Sequence, residues 1–83
     1  KSMNINDVIR SIEELDSKKD RCLAYAKAIN TLKFAKTTIG FVKCEDEEIN
    51  KINTVMTNSF LTKINELIKT LDERLDFTIN KTN

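Results

Sequence analysis

Histidine, tryptophan and proline are absent from this 83-residue chain, glycine occurs once and cysteine twice. Without histidine the commonest general acid or base is missing. No serine or cysteine has a recognisable base partner, and there is no glycine-rich phosphate loop. The carboxylates form no spaced pair for hydrolysis. These gaps argue against an enzyme and leave binding as the expected activity. Few residues can interrupt a helix where proline is lacking and Gly40 is the one glycine. No apolar run approaches the roughly 18 residues that a membrane span needs. No secretory leader pattern is present either, so a cytoplasmic protein is expected, with Met3 as the natural start and Lys1-Ser2 as an addition.

Cys22 and Cys44 are far apart, and reduced thiols are the expectation for a cytoplasmic chain. Two thiolates cannot close a tetrahedral zinc shell, so no metal and no cofactor are expected. A chain of this length has room for one domain with a thin core, and such chains often complete their burial by oligomerising.

The net charge of +1 conceals an uneven distribution. Residues 17–43 carry Lys18, Lys19, Arg21, Lys27, Lys33, Lys36 and Lys43 against Asp20 alone. From residue 44 onward there are five basic and eight acidic residues. Such polarity suits an anionic partner at the middle segment, and equally suits a solvated helix face balanced by acidic neighbours.

Hydrophobic spacing predicts three helices. Ile5, Val8, Ile9, Ile12 and Leu15 form a stripe over Ile5–Leu15, with Asn4 as N-cap and Asp7 at the third helical position. Asp16-Ser17 breaks the pattern and either residue can cap a second helix over 17–39, Ser17 with Asp20 repeating the earlier capping arrangement. The short connection favours two helices folded back on one another. The second helix is apolar on two sides. Cys22, Tyr25, Ala28, Ile29, Leu32, Ala35 and Ile39 form one stripe, while Leu23 and Phe34 sit opposite, near Lys27. Another helix or another subunit is expected to cover that second side. Gly40 is placed to stop the helix, and Phe41-Val42-Lys43-Cys44 is a short apolar link.

Glu45, Asp46, Glu47 and Glu48 cluster where the third helix begins; the helix dipole and capping account for them without a metal ion. That helix should run over about residues 46–79, along the stripe Ile49, Ile52, Met56, Phe60, Ile64, Leu67, Leu71 and Leu75. It either breaks near Thr57-Asn58-Ser59 or, unbroken, reaches a second subunit. Residues 5–14 also match residues 64–73 by identity or conservative replacement at each of ten positions. That similarity suggests two helices with like packing duties on the middle one. The expected fold is therefore all-α, one domain over 1–83. It comprises an antiparallel helical hairpin (4–40) followed by a long third helix (45–80), and it is oligomeric.

The binding surface is expected on the second helix. Lys18, Lys19 and Arg21 lie in its first turn, where free backbone amides favour an anion. Arg21 suits a forked phosphate contact, and Tyr25 and Phe34 offer rings for a base. Tyr25 also belongs to the apolar stripe, where an aromatic is usually core. The basic excess is too small, and a helix-turn-helix too plainly missing, for duplex nucleic acid.

Glu13-Glu14-Leu15, Asp16-Ser17-Lys18, Arg21-Cys22-Leu23-Ala24, Lys27, Phe34-Ala35 and Ile39 together resemble a known pattern. It is that of the helical hairpin of phage cyclic-nucleotide sponges, the anti-CBASS and anti-Thoeris proteins. The resemblance covers about residues 5–40. It implies a phage-encoded, non-enzymatic protein acting in the host cytoplasm. Such a protein sequesters cyclic di- or trinucleotides between subunits of a homo-oligomer, often a hexamer. Arg21 and Lys27 stand at the family's basic positions, with Lys18, Lys19 and Tyr25 added from chemistry and proximity. The chain departs from the family where Phe34 replaces a tryptophan, and where a long helix follows the hairpin instead of a segment preceding it. The alternative is a small helical interaction module acting on a host or phage protein through Leu23, Phe34 and the third helix.

Overall fold

The computed structural model describes residues 4–39 and 46–81. It contains three helices, α1 (Ile5–Glu13), α2 (Lys18–Thr38) and α3 (Glu47–Asn80), and no strand among the described residues. The stop assigned to Gly40, the link 41–44 with Lys43 and Cys44, and Glu45 all lie outside those residues.

Each helix begins on a side-chain cap. The Asn4 side chain accepts from the Asp7 amide at 3.0 Å, and Ser17 Oγ from the Asp20 amide at 3.2 Å. Asp46 caps α3, accepting from the amides of Glu48 (2.9 Å) and Ile49 (3.3 Å). Such caps satisfy amides that have no partner within the helix, each contributing about 1 kcal/mol. α1 stops at Glu13, two residues before the expected end, and Leu15 falls in the exposed turn.

α3 is unbroken through Thr57-Asn58-Ser59 and runs for 34 residues. At 1.5 Å per residue it is about 51 Å long, and it sets the longest of the molecule's dimensions, 57 × 25 × 15 Å. Its terminal half lies antiparallel to α2, with Lys18 Nζ donating to the Lys81 carbonyl at 2.8 Å where the two ends meet. Most of the packing of α2 is with α3 and not with α1, which spans only nine residues. The expected hairpin of α1 and α2 is thus the lesser of the two pairings.

The core is small. Ile12 of α1, Tyr25 and Ile29 of α2, and Leu71 of α3 are buried together, with Val8, Ile9, Leu32, Ile68 and Leu75 packed around them. Burial of each large side chain stabilises the fold by about 1.5–3 kcal/mol. Ile12 and Leu71 occupy equivalent positions of the ten-residue repeat, so the two similar segments do present the same kind of residue to α2.

The apolar stripe of α3 divides in two. From Ile64 onward it is half-buried or buried, whereas Ile49, Ile52, Met56 and Phe60 are exposed, Ile52 to 58%. The reason is length. α2 has 21 residues and α3 has 34, which leaves roughly 20 Å of α3 without a helical partner. On the far side of α2, Leu23 and Phe34 are likewise uncovered, Phe34 at 70% exposure. Among the described residues, no helix is long and apolar enough to cross a membrane.

Candidate functional site

A cavity of about 440 Å³ opens where α2 begins and α3 ends, lined by Glu13, Lys18, Arg21, Arg74, Phe77, Thr78 and Lys81. Four cations thus surround one carboxylate. The site follows from helix geometry: Arg74, Phe77, Thr78 and Lys81 recur at spacings of three and four and share one face of α3. Lys18 and Arg21 share a face of α2 in its first turn.

Each cation already has a partner that fixes it. Arg21 Nη1 donates to the carbonyls of Leu15 (2.7 Å) and Asp16 (3.1 Å), closing the turn between α1 and α2. Arg74 pairs with Glu13 across α1 and α3 and lies 5.2 Å from the Phe77 ring centroid. Lys81 Nζ lies 5.7 Å from the same ring. A ring flanked by two cations is held electrostatically as well as by packing.

Burial raises the Glu13 carboxyl. The hydrogen bond from Arg74, the polar Tyr25 hydroxyl close by, and the charges of Arg74 and Arg21 outweigh it and hold the group below the usual carboxylate range. The Tyr25 hydroxyl is raised, first by burial and then by the negative charge of Glu13, with Arg74 opposing. Arg74 is raised by its polar neighbours Tyr25 and Glu13. These three groups therefore form one electrostatic unit beneath the cavity, with glutamate and arginine charged and tyrosine neutral at pH 7. Arg74 Nε and the Tyr25 hydroxyl are buried there without a well-formed hydrogen bond among the described residues.

No family model, curated protein or solved structure matches this chain.

The structure brings together Lys18 and Arg21 of the sequence-derived candidates and separates the rest. Lys27 lines a different, shallow groove of about 610 Å³ on the outer face of α2, with Leu23, Ala26, Asn30, Thr31 and Phe34. Lys19 is exposed outside both cavities. Tyr25, proposed to stack on a base, is 0% exposed and belongs to the core. Its ring fills the contact between α2 and α3, so the stripe assignment prevails over the ligand assignment. Arg74, Phe77 and Lys81 were not singled out by the sequence. The available signal was their common face, together with Arg74 being the one arginine of α3.

Replacing Tyr25 by Phe removes a buried hydroxyl that has no well-formed partner. Stability in urea unfolding is expected to change by less than about 1 kcal/mol, and any ligand affinity should stay as it is.

Proposed function

We propose that this chain is a non-catalytic binding protein that sequesters a small phosphorylated ligand, of the cyclic oligonucleotide class, at the cavity between the start of α2 and the end of α3. The observation that carries this reading is four cations and an aromatic ring around one half-open cavity of about 440 Å³. That volume lies within the range of small-molecule sites, roughly 300–1,000 Å³. Lys18 and Lys81 supply point charges for phosphate, Lys18 exchanging its bond to the Lys81 carbonyl for the ligand, and Arg21 and Arg74, anchored by their own partners, fix the positive wall. Phe77, about half exposed, offers an apolar surface to a base. The amides in the first turn of α2 add the positive end of its dipole. Sequestration needs no reaction, and the resemblance of residues 5–40 to phage cyclic-nucleotide sponges is consistent with it.

Calorimetric titration with a panel of cyclic di- and trinucleotides tests the proposal. At least one member should bind. Lys18→Glu combined with Lys81→Glu should then weaken it by at least about tenfold, or about 1.4 kcal/mol. Both side chains extend from a rim, so the fold should tolerate the change. An absence of heat with every member of the panel would overturn the reading. The second reading, a helical module that docks on another protein, is favoured by the exposure of Leu23, Phe34 and the stripe of α3. It predicts no nucleotide binding, and loss of partner capture in Leu23→Glu or Phe34→Glu.

A further inference from the structure

The two uncovered apolar surfaces have matching dimensions. On α2, Leu23 and Phe34 bound a groove with the small Ala26 between them and Lys27 on its rim. On the projecting arm of α3, Ile49, Ile52, Met56 and Phe60 fall at spacings of three and four along one face. From Leu23 to Phe34 and from Ile49 to Phe60 the separation is the same in residues, about 17 Å along a helix. Their charges are opposite. The groove is flanked by Lys19, Lys27 and Lys33 with Asp20 as the acid on that face, and the arm begins with Asp46, Glu47 and Glu48.

We propose that the arm of α3, residues 47–60, docks in the α2 groove of a second copy of this chain, and that the exchange is reciprocal. Because the arm projects past the end of α2, a twofold axis near that end lays each arm along the partner's α2 while each copy keeps its own pairing of α2 with α3. Each arm then runs parallel to the helix it covers, its acidic start beside the Lys19 and Lys27 end and its Phe60 end towards Phe34. Other pairings of the same surfaces are poorer. Groove against groove would oppose Lys27 and Lys33 with their own copies, and arm against arm would leave the α2 groove uncovered. The groove shares no lining residue with the cavity of Lys18 and Arg21, which is built from α1, α2 and α3 of one copy.

Sedimentation equilibrium on the full chain tests this directly. The expected mass is about twice 9.6 kDa. Phe34→Glu and Met56→Glu, both at exposed positions, should each raise the dimer dissociation constant by at least about 100-fold while leaving the helical signal of the monomer intact. Mixing the two variants restores one intact pairing, the unaltered arm of the first in the unaltered groove of the second. The mixture should therefore recover a measurable fraction of dimer that neither variant forms alone. A wild-type chain that stays monomeric at the highest concentration overturns the proposal and leaves both surfaces to a different partner. Disruption by Met56→Glu alone means that arm pairs with arm, disruption by Phe34→Glu alone means that groove pairs with groove, and either result overturns it as well.

Discussion

Leu71→Ala is expected to remove about 3–4 kcal/mol of stability, enough to unfold much of the protein at 37 °C. Leu71 is 1% exposed and stands where all three helices meet, against Ile12, Tyr25 and Ile29. Truncation loses the transfer free energy of its methyl groups and leaves a cavity that rigid helices cannot collapse around. A chain this short has a total stability of roughly 4–12 kcal/mol, so the loss is a large share of it. Ile52→Ala supplies the contrast. Ile52 belongs to the same apolar stripe but is 58% exposed on the arm, and its truncation should cost less than about 0.5 kcal/mol in the monomer. Urea unfolding at low protein concentration, where association does not contribute, measures both. Equal costs at the two positions would mean that the arm is packed after all.

This contrast also marks how far the sequence could be read. Periodicity located all three helices, and the caps at Asn4 and Ser17 are used as their side chains suggest, because capping is decided within four residues of chain; for α3 the acidic run 45–48 marked the start without singling out Asp46. The second apolar side of α2 was legible too, since Leu23 and Phe34 fall opposite Tyr25 and Ile29 whatever packs against them. What periodicity could not supply was which part of α3 lies against α2. A stripe from Ile49 to Leu75 reads the same whether a neighbour covers all of it or half. The overlap is set by the burial of Leu71 against Tyr25 and Ile29 and by the unequal lengths of the two helices.

The candidate site was legible to the same degree. Lys18 and Arg21 stood out through the local excess of positive charge. Arg74, Phe77 and Lys81 come from a segment whose acids outnumber its bases, and only the antiparallel return of α3 sets them beside α2. Tyr25 shows the converse. Its chemistry suits a nucleotide base, but its position on the buried stripe determines where the ring goes.

The pair of Arg74 and Glu13 links α1 to α3, and its removal is the second large effect expected. Arg74→Ala should cost about 2 kcal/mol, combining the ion pair with the contact on Phe77 and the packing of the arginine stem. Solvent reaches 38% of the Arg74 side chain and 33% of Glu13, so their coupling should be about 1 kcal/mol, below the 3–5 kcal/mol of a fully buried pair. A double-mutant cycle with Glu13→Gln isolates that part. The pH dependence gives an independent readout. Glu13 binds a proton less readily in the folded state than in the unfolded one. Its contribution is therefore complete above the ordinary carboxylate range and is lost as pH falls through its lowered native value. Tyr25 acts at the other end. Its raised native value makes its contribution complete below the ordinary tyrosine range and lost as pH rises through that higher value. Unfolding free energy measured against pH should accordingly fall at both extremes. Glu13→Gln should flatten the acid side, and Tyr25→Phe the alkaline side. If Glu13→Gln leaves the acid limb unchanged and the cycle shows no coupling, the ion pair does not fasten α1 to α3, and Ile12 in the core must hold α1 in place.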